Sequence, residues 1–113
     1  MTYSLWQSFK YASKGIKVVF KTERNFRIQC AIAILVILFG LYRQLGKTDW
    51  LVLLITIALV LSLEIMNSSV ERLVDILAPR THNFAKDIKD LLAAMVFLAS
   101  FFAFIIGLII FLK

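Results

Sequence analysis

Glu64, Asn67, Glu71 and Asp75 fall at i, i+3, i+7 and i+11, within an apolar stretch and just beyond it. At about 100° per residue of helix they share one narrow sector of a single face, with Ser68 beside it. An ionisable group inside a membrane span is costly and marks function by default. Glu64 lies deepest, so it suits a general base that takes a proton from a hydroxyl. Glu71 lies near the boundary, where a carboxylate can serve as an oxygen ligand. Magnesium takes one or two protein carboxylates and fills its remaining positions with water and phosphate oxygens. Asn67 can orient a neighbour or a phosphate, and Asp75 continues the acidic line into water. The alternative is a polar stripe that only packs helices, and it leaves three carboxylates and an amide on one face without a role.

Other groups fit around that face. Glu23, within Thr22-Glu23-Arg24-Asn25, could supply a second metal carboxylate, although alone it reads as a surface acid paired with a lysine. Lys89 can reach a polyphosphate, and Asp90 can hold that lysine or the metal shell. Taken singly, these two residues are an ordinary charged flank. His82, in Arg80-Thr81-His82, has no second histidine or cysteine near it, so nucleotide contact suits it better than a metal. The four glycines are far apart, which excludes a phosphate-binding glycine loop. Cys30 is the only cysteine, so neither an intramolecular disulfide nor a cysteine zinc cluster can form.

The elements that must position these groups follow from composition. The 113 residues allow one domain. They are 61% hydrophobic and 18% charged, with mean hydropathy +0.87, where a soluble domain is about a quarter charged. The expectation is an all-α integral membrane protein, because unclosed strands cannot satisfy their backbone in lipid. Three spans are expected at about 28–45, 50–70 and 91–112. The first is short and is bracketed by Arg27 and Arg43, which can snorkel toward the headgroups. Residues 5–22 predict an amphipathic surface helix, with Leu5, Phe9, Ala12, Ile16 and Val19 on one stripe. Lys10, Lys14, Lys17 and Lys21 form the adjacent stripe and face anionic lipid. The net charge of +6 therefore reads as membrane orientation, with no nucleic-acid partner expected. The basic residues place the N-terminus and the 71–90 loop in the cytoplasm. No signal peptide is legible.

The run Glu64-Ile65-Met66-Asn67-Ser68-Ser69-Val70-Glu71-Arg72-Leu73-Val74-Asp75 resembles the signature of the bacterial diacylglycerol kinase/undecaprenol kinase family. Glu23-Arg24-Asn25-Phe26-Arg27 and Ile88-Lys89-Asp90 are similar to two further blocks of that family, at similar spacing. The resemblance spans almost the whole chain and implies a single lipid kinase domain over residues 1–113. It implies transfer of the γ-phosphoryl group of MgATP to the hydroxyl of a membrane lipid. It also implies a homotrimeric helical bundle whose sites are shared between neighbouring chains, in the bacterial cell membrane. By resemblance Glu64 is the catalytic base, with Asn67 and Asp75 in support. Glu23 and Glu71 are magnesium ligands and ATP contacts. Tyr11, Lys89 and Asp90 bind nucleotide, and Arg80, Thr81 and His82 occupy the loop that meets it.

Some positions depart from the family. Leu92 and Met95 are bulky where relatives are mostly small, which bears on how closely the third span packs. Gln29 stands where some relatives carry an acid, and Ala12 where some carry a serine. The Ser8–Ala12 and Glu23–Asn25 stretches are more similar to the undecaprenol kinase branch, so undecaprenol is the expected acceptor and diacylglycerol the alternative. A small multidrug exporter is the rival of another class. Such proteins need four spans and an acid in the first, and this chain has neither.

Overall fold

The computed structural model describes residues 4–78 and 83–113, and these form four helices in the order α1 (Leu5–Thr22), α2 (Arg24–Arg43), α3 (Lys47–Leu77) and α4 (Asn83–Phe111). The described residues contain no strand. α2, α3 and α4 are each long and apolar enough to cross a membrane. They run alternately up and down, and α4 packs chiefly against α3.

α1 begins at a capping box. The Ser4 hydroxyl accepts from Gln7 N–H at 3.2 Å, and Gln7 Oε1 accepts from Ser4 N–H at 3.0 Å. Two otherwise orphaned N–H groups are thereby paired. The helix stops at Glu23, which is extended (φ −115, ψ 110) and is the only residue separating α1 from α2. No glycine or proline makes this corner. Instead Arg27, one turn into α2, turns back and donates to the carbonyls of Phe20 and Lys21 at 2.8 and 3.1 Å. A cation at a helix C-terminus satisfies free carbonyls and offsets the negative end of the dipole. Arg27 thus has a more specific task than the expected snorkelling.

The helices exceed the apolar stretches that define them in the sequence. α3 has 31 residues and α4 has 29, so each is about 45 Å long where about 30 Å crosses the hydrocarbon. Most of the excess lies at one end. There α3 carries Glu71 and Asp75, and α4 carries Lys86, Lys89 and Asp90. α2 starts at Arg24, four residues before the expected boundary, because the Arg27 cap lets a new helix begin directly after Glu23.

The opposite end is closed by three contacts. Arg43 donates to the Phe111 carbonyl at 2.9 Å, and Phe39 packs on Phe111 with ring centroids 4.9 Å apart. Lys113 pairs with Asp49 at 2.8 Å. Between α2 and α3 the chain turns at Gln44 in the left-handed region (φ 54), while Leu45 N–H bonds back to Gly40 at 3.3 Å. Gly40 has a steric reason to lack a side chain. A Cβ there would lie 3.0 Å from the Trp50 ring and 3.1 Å from Leu45.

Candidate functional site

α3 presents the acidic face as a gradient of burial. Glu64 is 5% exposed and Ser68 is 4% exposed. Asn67 and Glu71 are half-buried, and Asp75 is exposed. The face therefore descends from water into the span, as its spacing predicts. The Oδ1 atom of Asn67 is buried and has no hydrogen-bond partner. An amide oxygen so placed is an acceptor awaiting a donor or a cation.

Glu23 reaches this face from the corner between α1 and α2. Its Oε1 accepts from the Ser68 hydroxyl at 2.9 Å, and Arg72 stands 3.9 Å away. Arg72 also donates to Thr22 Oγ1 at 2.5 Å, which ties the end of α1 to α3. Both Glu23 and Glu71 lie close enough to Glu64 for their charges to act on it. Three carboxylates from two parts of the chain thus converge where α3 leaves the apolar layer. Above them, a cleft of about 510 Å³ separates α1 from α3, with Gly15, Ile16 and Val19 facing Ile65, Ser68 and Arg72.

Lys89 and Asp90 do not hold each other. Lys89 pairs with Asp75 at 2.5 Å across α3 and α4, and Asp90 pairs with Lys86 at 3.0 Å. Adjacent helix residues point about 100° apart, whereas residues four apart share a face. Lys89 is thereby drawn over the acidic face, and Asp90 is turned along α4. Tyr11 sits on the surface helix with the Lys14 ammonium 5.7 Å from its ring centre. It is twelve residues before Glu23, about 18 Å along the helix axis. Arg80, Thr81 and His82 lie outside the described residues.

Several contributors were not singled out in the sequence for this site. Arg72 and Thr22 matter because they fasten Glu23, and Arg27 because it makes the corner. Gln29 of α2 stands near Glu64, and its Nε2 donates to Ser100 Oγ on α4 at 3.1 Å. The signal for the last two was present. Ser100 is the only hydroxyl in Leu91–Leu112, and Gln29 is a polar residue early in a span. Their partnership needs three helices and has no signature in one.

No group of three or more His, Cys, Asp or Glu side chains that could enclose a metal occurs among the described residues. The available donors are two carboxylates, Glu23 and Glu71, together with the orphaned Asn67 oxygen. That set fits magnesium, which relies on few protein oxygens and completes its shell with water and phosphate. It does not fit a metal that needs an all-protein cage.

The model of the prokaryotic diacylglycerol kinase family matches residues 10–111. The chain is 36% identical over 107 residues to the undecaprenol kinase of Bacillus subtilis, covering 95% of this chain and 87% of that protein. It is 37% identical over 105 residues to a diacylglycerol kinase of Synechocystis, covering 92% of this chain and 60% of that protein. It is 34% identical over 95 residues to the diacylglycerol kinase of Haemophilus influenzae, covering 84% and 80% respectively.

Proposed function

This chain belongs to the prokaryotic diacylglycerol kinase family, and from that membership we propose that it phosphorylates undecaprenol, with Glu64 as the base. It is a membrane lipid kinase, and its phosphoryl donor is ATP. The observation that carries the site reading is the graded acidic face of α3 with Glu23 brought against it. One helix face thereby connects an aqueous triphosphate to a hydroxyl held in oil.

Phosphoryl transfer is mainly positioning and charge stabilisation. Glu64 takes the proton of the lipid hydroxyl as that oxygen bonds to the γ-phosphorus. The bond from the γ-phosphorus to the β–γ bridging oxygen breaks in line, and ADP leaves. Burial of Glu64 keeps water from the position the alcohol must occupy. Glu23 and Glu71 would hold magnesium, which when bound neutralises charge on the phosphate oxygens. Ser68 and Arg72 fix the Glu23 carboxylate at the head of α3. Lys89 would meet the phosphates from α4. Its pair with Asp75 is half-exposed and is worth about 1 kcal/mol or less, so a more highly charged triphosphate can take it over. Asp90, Tyr11 and the Arg80-Thr81-His82 loop complete the proposed nucleotide contacts, with Asn67 and Asp75 supporting the base. The proposed assembly is a homotrimer with shared sites, its acidic end in the cytoplasm.

Undecaprenol is supported by the relative from Bacillus subtilis, which matches over most of both chains. Diacylglycerol is the second reading, and the diacylglycerol kinases of Synechocystis and Haemophilus favour it. Transfer of labelled γ-phosphate from ATP into an extracted bacterial lipid mixture decides between them. Labelled undecaprenyl phosphate is the expected product, and labelled phosphatidic acid as the main product overturns the choice.

A further inference from the structure

Arg72 brings a positive charge to the cleft between α1 and α3. It follows Glu71 on α3 and lines that cleft together with Ile65 and Ser68. Side chains of a helix lean toward its N-terminus, and on α3 that direction runs from Arg72 inward to Glu64. The contacts agree with this lean. Glu23 Oε1 accepts from Ser68, one turn deeper than Arg72, and stands 3.9 Å from Arg72 Nη2. The same Nη2 donates to Thr22 Oγ1. A guanidinium carries five N–H donors, and the tie to Thr22 uses one of them. The Arg72 side chain is 46% exposed, so a ligand can reach the rest.

We propose that Arg72 binds the γ-phosphate of the nucleotide, a phosphate contact separate from Lys89. The inference rests on the reading of Glu23 and Glu71 as magnesium ligands. Phosphate oxygens that share an ion with Glu23 lie beside its carboxylate, and the Arg72 guanidinium already stands there. Depth assigns the phosphate. Glu64 meets the hydroxyl that attacks the γ-phosphorus, so the γ-phosphate is the innermost of the three. Arg72 leans inward, toward the turn that holds Ser68. Lys89 is held by Asp75, three residues further out on α3, or about 4.5 Å along the helix axis. Arg72 thus serves the inner phosphate and Lys89 the outer ones. Charge points the same way. Glu23, Glu64 and Glu71 repel a triphosphate, and a fixed cation beside them offsets that repulsion where charge develops during transfer. The planar guanidinium fork also matches two phosphate oxygens at once. Thr22 holds the fork in place beforehand, so less freedom is lost when the nucleotide arrives.

The test compares two nucleotides on the full-length protein in phosphatidylcholine vesicles that hold no alcohol acceptor. Equilibrium dialysis with magnesium measures the Kd of a non-hydrolysable ATP analogue and of ADP, which lacks the γ-phosphate. Arg72→Gln is expected to raise the Kd of the analogue by roughly tenfold to hundredfold, the scale of a hydrogen bond to a charged group, and that of ADP by less than about twofold. Retained ADP binding shows that the variant is folded. Arg72→Lys keeps the charge without the fork and is expected to recover part of the loss. Thr22→Val releases the tie but leaves the guanidinium, so it is expected to shift both Kd values alike. An unchanged Kd for the analogue, or an equal change for both nucleotides, overturns the γ-phosphate contact and leaves Arg72 as a tie between helices. Where Arg72→Gln binds neither nucleotide, Arg72→Lys carries the comparison, and an equal loss for both is again the overturning result. Magnesium titrations of activity in Glu23→Gln and Glu71→Gln run beside these measurements. A raised magnesium requirement there, with no discrimination by the Arg72 variants, sinks this inference alone. An unchanged requirement in both overturns the ligand reading itself.

Discussion

At the scale of single residues, the proposed chemistry turns on Glu64 and its partners. Glu64→Gln keeps size and hydrogen-bonding capacity and removes only the proton acceptor. It is expected to reduce phosphoryl transfer by about 100-fold or more, the usual worth of a general base. ATP binding, read by protection of the protein against thermal aggregation, should persist. Glu23→Gln and Glu71→Gln should act differently. Each removes one proposed carboxylate ligand, so the magnesium concentration for half-maximal rate should rise by roughly tenfold, while activity returns at high magnesium. An unchanged magnesium titration in both variants refutes the ligand roles. The spacing from Glu64 to Asp75 made this face legible in the sequence, because a helix with fixed residues per turn converts spacing into direction. The pairing of Lys89 with Asp75 was not legible, because it depends on how α3 and α4 meet.

The elements explain why the site is held together. The corner at Glu23 is made by Arg27 capping the last carbonyls of α1. Arg27→Met keeps the aliphatic stem and removes the cap. It should loosen the angle between α1 and α2, withdraw Glu23 from Ser68, and lower the rate several-fold at limiting magnesium. A spin-label distance between α1 and α3 measures the displacement, and an unaltered distance with unaltered activity shows that the cap is dispensable. At the opposite end, Gly40 admits the Trp50 ring. Gly40→Val should cost about 1–3 kcal/mol by overpacking. The readout is a lower Tm and altered Trp50 fluorescence, with the acidic end of each surviving molecule still competent. The overlong helices also belong to this scale. An apolar stretch reports the thickness of the oil, whereas a helix continues as long as its backbone bonds and side-chain pairs favour it.

Across the whole molecule, little of the apolar surface is covered within one chain. In the most apolar windows of α2, α3 and α4, only 11%, 22% and 6% of residues are buried. In water such exposure is untenable, and in a bilayer lipid tails or further copies can cover it. The proposed trimer predicts that particles extracted with native lipid carry three copies of the 12.9 kDa chain. Full activity in particles that native mass spectrometry shows to hold one copy overturns the shared-site assembly. Chelation of magnesium should abolish transfer in intact particles without dissociating them, since the proposed ligands Glu23 and Glu71 lie at the polar end of the helices, beyond the apolar groove between them.

Composition and spacing alone determined the membrane class, the all-helical architecture and the acidic face, because hydrophobic runs and the 3.6-residue repeat are local properties of the chain. Tertiary structure alone decided which groups stand opposite that face. Glu23 is delivered by a corner whose cap lies one turn further on, and Gln29 and Ser100 are 71 positions apart yet bonded. Such contacts depend on the rotation and depth of separate helices. Those are fixed only when the helices pack, so no window of the sequence contains them.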